Sequence, residues 1–178
     1  MNCSMKELGK ALVGVAGLAG AACFSSSQAW AQGMAAGLAK QLQGTWMLVS
    51  VTSEQGGNRI DVWGPNPRGQ VIFAPDGRYC EVWTRDDLPK IAANNRTKGT
   101  PEENQTIMAG SLGHFGTYKV EDEKAGLVTL HIVTCTFPNW NGQDALRSMT
   151  IQGDALHIGN PAPSGGGGKI DITYKRAM

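Results

Sequence analysis

Three residues able to do chemistry, Tyr79, Glu81 and Trp83, fall two apart. If that segment is a strand, all three share one face. His131 and Arg147 sit in the middle of two further segments of strand-like composition, and Tyr174 lies near the end of the last one. A carboxylate, an imidazole, a guanidinium, two phenols and an indole turned into a common interior would hold a small, partly apolar molecule through aromatic walls and a few placed polar groups. An arginine inside a barrel is costly unless an acid or an anionic ligand satisfies it. Glu81 is the expected internal partner of Arg147 or His131. The same residues turned outward would need no explanation. Around His131, the residues Val128, Leu130 and Ile132 form the more apolar face, which argues that His131 points away from the core.

Other chemical motifs fail on context. Ala109-Gly110-Ser111-Leu112-Gly113 has the outline of a nucleophile elbow, which needs a strand before the serine and a helix after it. Here the order is helix, then strand, so no catalytic role is assigned to Ser111. The glycine run 165–168 before Lys169 lacks the Ser/Thr and the helix of a phosphate loop. His114, His131 and His157 show no zinc spacing; His131 and Cys135 share a strand face, but a third ligand would have to come from elsewhere. No metal and no cofactor is expected. The tripeptides starting at Asn95 and Asn104 fit a glycosylation pattern, which a bacterial type of leader makes uninformative.

The elements that must position these residues begin after a leader. Residues 1–10 carry two lysines, 11–24 are uncharged and apolar, and Ala29-Trp30-Ala31 supplies the small-x-small pattern. This is the order of a secretory signal peptide cleaved after Ala31, and it implies a periplasmic or secreted protein. Residues 1–31 are therefore read as signal peptide and 32–178 as one domain of 178 − 31 = 147 residues. No other apolar run approaches the length of a membrane-spanning helix. Sixteen Lys+Arg stand against fifteen Asp+Glu, and removing Lys6, Lys10 and Glu7 leaves 14 against 14. Such a neutral chain is a poor match for nucleic acid or anionic membranes. Its oligomeric state is not legible.

Met34, Leu38 and Leu42 recur at helical spacing before Gly44, and from there the period becomes two. Strands are expected at 46–51, 59–63, 69–73, 78–85, 114–121, 127–136, 144–152, 155–158 and 169–176. Residues 74–77 form a tight turn. The long excursion 86–112 contains a helix that Thr100 caps, with Pro101, Glu102 and Glu103 in its first turn and Gly113 at its end. About nine strands with one helical insertion and no βαβ rhythm make an all-β, antiparallel, up-and-down barrel or sandwich. Cys80 and Cys135 fall on strands separated by a third. That puts them beyond disulfide reach and makes two buried thiols the favoured state.

Gly44-Thr45-Trp46, opening the first strand directly after a short helix, resembles the start of a lipocalin. More specifically, the chain is similar to the bacterial and fungal lipocalin-like domain family. The likeness rests on the ordered set 44–50, 75–79, 99–103, 115–118, 137–142, Arg147 and 153–156. The resemblance implies a lipocalin-like β-barrel of eight or nine strands with a possible ligand cavity. It also implies that Gly44 and Trp46 close one barrel end beneath Arg176 of the last strand. The segment around 164–172 departs from the family pattern. The first expectation is an exported protein binding or carrying a small hydrophobic or amphipathic molecule through Tyr79, Glu81, Trp83, His131, Arg147 and Tyr174. The alternatives are a small-metabolite isomerase or cyclase in the same cavity, and a solid-barrel interaction protein acting through 86–112.

Overall fold

A computed structural model describes residues 37–178 of the chain, apart from 56 and 167. All of these belong to one of two compact units, Ala36–Met178. The expected leader and Met34 lie outside the described residues. In chain order the elements are α1 (Leu38–Leu42), β1 (Gly44–Gln55), β2 (Asn58–Asp61), β3 (Arg68–Phe73), β4 (Arg78–Thr84), α2 (Pro101–Ala109), β5 (Ser111–Asp122), β6 (Leu127–Cys135), a 3-10 turn (Pro138–Trp140), β7 (Asp144–Gln152), β8 (Ala155–Asn160) and β9 (Ile170–Arg176).

From β3 to β9 each strand pairs antiparallel with the next, and β1 joins β3 on one side and β9 on the other. The result is a closed eight-stranded barrel. The length of β1 explains the extra strand. Its first residues pair with β3, whereas Thr52 to Gln55 run past β3 and pair with β2. Closure removes the open edges that a meander of this length would otherwise present.

Alternation decides what enters the barrel. On β4 the buried residues are Tyr79, Glu81 and Trp83; on β9 they are Ile170, Ile172 and Tyr174. One half of the interior is solid. Leu42, Trp46, Phe73, Met149 and Leu156 are essentially inaccessible and leave no room for a ligand there. At that end the Trp46 indole N–H donates to the Leu42 carbonyl at 2.7 Å. The Arg176 guanidinium lies 4.0 Å from the centre of the Trp46 ring. It also donates to the carbonyls of Gln41 (2.8 Å) and Gln43 (3.1 Å). One arginine on the last strand thereby ties α1 to the first strand.

The tight turn at 74–77 forms as its composition requires, with Gly77 at φ 83° and the Ala74 amide bonded to the Arg78 carbonyl at 2.8 Å. Gly116 has a different reason. A side chain there would come within 1.8 Å of the His131 carbonyl oxygen, where the pairing of β5 with β6 slips by one residue.

Two expectations need correction. The inserted helix has the expected start: Thr100 Oγ1 accepts from the Glu103 amide (3.2 Å) and Glu103 returns a bond to the Thr100 amide (2.9 Å). It ends at Ala109, not Leu112, because Gly110 terminates it and Ser111 and Leu112 pair with Thr84 and Trp83 of β4. The strand offers Leu112 a buried interior position, whereas α2 buries none of its own residues. Among the described residues, Cys80 and Cys135 are both free with one strand between them, but only Cys135 is buried. Cys80 faces outward because its neighbours Tyr79 and Glu81 face in.

Candidate functional site

The β4 carboxylate is the hub of the interior. Glu81 is 6% exposed and sits directly across from His114 of β5 in the strand register. His114 Nε2 lies 2.9 Å from Glu81 Oε2, and His114 Nδ1 lies 3.0 Å from the Tyr79 hydroxyl. The Tyr174 hydroxyl donates to Glu81 Oε1 in a short hydrogen bond, and the Trp83 indole N–H donates to the Tyr174 oxygen at 2.6 Å. A single imidazole proton on Nε2 satisfies every member. Tyr79 then donates to Nδ1, Nε2 donates to Glu81, and Tyr174 donates to the other carboxylate oxygen.

Burial by itself would raise the Glu81 pKa, but the hydrogen bonds from His114 and Tyr174, with the charge of the more distant Arg147, hold it below the usual carboxylate range. Burial and the Glu81 charge push both Tyr79 and Tyr174 upward, so both keep their protons. The chain is a closed donor–acceptor series in which both oxygens of Glu81 and both nitrogens of His114 are occupied.

Arg147 enters the same interior from β7 and is 6% exposed. The expected ion pair with Glu81 does not form. Arg147 donates from Nη1 to the Leu146 carbonyl at 3.0 Å and lies 5.9 Å from the centre of the Trp140 ring. It makes no ion pair among the described residues. Burial lowers its pKa, with Glu81 and Tyr79 opposing that shift.

His131 is the misplaced candidate. As a ligand-binding residue it would have to face the interior, but its side chain is 48% exposed and its Nδ1 pairs with Asp144 at 2.7 Å on the outer surface. The apolar positions on either side of it, Leu130 and Ile132, take the interior. The structure thus brings together Tyr79, Glu81, Trp83 and Tyr174, places Arg147 nearby and excludes His131. His114, not His131, is the imidazole that meets Glu81.

Above this layer the barrel opens. The connections β2–β3, β4–β5, β6–β7 and β8–β9 surround the mouth, and a cavity of about 300 Å³ lies among them. Its walls include Trp63, Trp83, Trp140, Leu112 and Ile170. Trp63 meets Trp83 edge-to-face with ring centres 5.3 Å apart. Asn160, 3% exposed, also lines it; its carbonyl oxygen accepts from the Ala162 amide at 3.0 Å. Below, next to Glu81, His114 and Arg147, the remaining void is only about 10 Å³, the scale of one water molecule. No strand parity in the sequence points to Trp63, Trp140 or Asn160. Trp140 had a signal in the Phe-Pro-Asn-Trp-Asn-Gly segment, which reads as a turn, but nothing in its spacing says that the turn folds over the mouth.

Among the described residues, no three His, Cys, Asp or Glu side chains gather as a metal site would require. No helix among them is long and apolar enough to cross a membrane.

A barrel of eight antiparallel strands in sequential order, plugged at one end and hollow at the other, defines an up-and-down β-barrel with room for a small guest. The chain belongs to the lipocalin-like domain family, whose model matches residues 43–170. Arg176, which caps the plugged end, lies beyond the matched residues. A search of curated proteins finds no match.

Proposed function

We propose that this protein binds or carries a small, largely apolar molecule in the mouth of its barrel, and that it does so after export through a leader formed by residues 1–31. The cavity of about 300 Å³ walled by three tryptophans carries the reading. Its volume is at the small end of the range for ligand sites, and its composition, aromatic and aliphatic walls with a few polar groups, is that of such sites. Asn160 has its oxygen engaged by the Ala162 amide, so its amide N–H groups are the part available to a guest. Membership in the lipocalin-like family supports the same reading.

An isomerase or cyclase would need an acid or base within reach of the substrate. Glu81 and His114 have the right chemistry, but their polar atoms are engaged by one another and by the two tyrosines, beneath Trp83 and Trp140. Binding is therefore the reading the geometry favours.

Native mass spectrometry of the protein purified from its own source tests the proposal, together with fluorescence titration of the neutral apolar probe N-phenyl-1-naphthylamine. A co-purifying small molecule and probe binding that weakens at least about fivefold in Trp63→Ser support it. A ligand-free protein that does not enhance the probe's fluorescence overturns it. N-terminal sequencing of the exported protein should begin at Gln32; a chain retained with Met1 would refute the leader.

A further inference from the structure

We propose that Arg147 is the floor of a second binding site, one for a carboxylate, in the groove on the opposite side of Trp140 from the mouth cavity. The groove measures about 370 Å³ and runs between the 3-10 turn and the segment that follows β8. Arg147, Trp140, Pro161 and Ala162 contribute to its lining.

The argument is one of elimination. A guanidinium has five N–H donors, and a buried one is stable only when a counter-charge or several acceptors meet it. Arg147 has one acceptor, the Leu146 carbonyl. Its cross-strand neighbour on β6 is Val128, which offers no side-chain acceptor. Two acids lie near enough to matter, and both are committed elsewhere. Glu81 has one oxygen on His114 and the other on Tyr174. Asp144, which also lines the groove, is held by His131 through Oδ1. Among the described residues no carboxylate takes the place beside Arg147, while a groove large enough for a small organic acid opens onto it.

The geometry suits a planar anion. The Trp140 ring lies against the guanidinium and leaves its edge, where paired N–H groups match the two oxygens of a carboxylate, as the surface to be met. The apolar side of the groove then takes a short hydrocarbon or aromatic body. Burial without an ion pair also lowers the Arg147 pKa, a penalty that a bound anion would relieve.

The test compares 3-phenylpropanoate with 3-phenylpropan-1-ol, identical in body and different in head group, by calorimetry. The wild-type protein should bind the carboxylate at least about tenfold more tightly than the alcohol. Arg147→Met should lose that preference and Arg147→Lys should keep only part of it. 3-Phenylpropanoate should not displace N-phenyl-1-naphthylamine from the mouth of the wild-type protein. In the wild type, the ¹⁵N signals of the Arg147 guanidinium should shift with the carboxylate and not with the alcohol, a measurement that does not depend on whether a variant folds. Equal affinity for the two compounds, a preference surviving in Arg147→Met, or unmoved guanidinium signals would each overturn the site. Failure of the mouth probe alone would count against the mouth cavity and not against Arg147.

Discussion

Replacing Glu81 with Gln isolates the hub of the buried chain. The substitution keeps the side chain's shape and one carbonyl oxygen but puts an NH₂ group where the second oxygen was. Glu81 accepts from two buried donors, His114 Nε2–H and the Tyr174 hydroxyl. The amide can accept one of them, and the other is left facing a donor. Losing one hydrogen bond to a charged acceptor costs about 1.5–3 kcal/mol, and converting the other to a neutral one removes roughly 1 kcal/mol more. The expected loss is about 2.5–4 kcal/mol, a fall in Tm on the order of 10 °C for a domain of this size. Urea denaturation followed by circular dichroism measures it. The pH dependence supplies the sign. Glu81 titrates below its ordinary value of 4.5, so its contribution is complete above that pH and fades as the pH falls through the folded-state value. The gap between wild type and Glu81→Gln should be constant from neutral pH to about 5 and should narrow in acid. Tyr174→Phe in the same cycle should show a coupling of about 1 kcal/mol or more with Glu81→Gln. A loss below about 0.5 kcal/mol at pH 7, or a gap that does not narrow in acid, would refute the charged, doubly bonded hub.

At the plugged end, Arg176→Met removes one bond to an α1 carbonyl (Gln41), one to the Gln43 carbonyl just after the helix and a cation from the Trp46 ring, and should cost about 2–4 kcal/mol with faster amide exchange across residues 38–43. Unchanged exchange there would mean that α1 is held by Leu42 and Trp46 alone. Iodoacetamide should label Cys80 in the native protein and spare Cys135, which is buried and whose thiol burial pushes upward; labelling of both at equal rates would contradict the alternation of β4. His131→Gln should leave probe binding unchanged and shift Tm by no more than about 2 °C, because its pair with Asp144 is exposed. A loss of binding would return His131 to the site.

Parity says which residues of a strand share a face, but which partner they meet was not legible in the sequence, for one physical reason. Parity along β4 puts Tyr79, Glu81 and Trp83 on one face without saying that it is the inner one, so Cys80, expected to be buried, faces out, whereas the apolar run in β6 is enough to turn His131 out. A partner across two strands depends on register, and the register of β5 depends on where the preceding helix stops. Gly110 and Gly113 are both plausible terminators, and choosing the later one removes Ser111, Leu112 and Gly113 from the strand. With those three restored, Leu112 faces Trp83 and His114 faces Glu81. The mouth is harder still, because its walls come from turns and loops with no period: Trp63 follows β2, Trp140 ends a 3-10 turn, and Asn160 ends β8. The expected Glu81–Arg147 pair fails for the same reason of register. Once His114 and Tyr174 hold both carboxylate oxygens, the barrel has no free acid for its buried arginine, and the reading of an internal ion pair becomes the reading of a site that awaits an anion from outside.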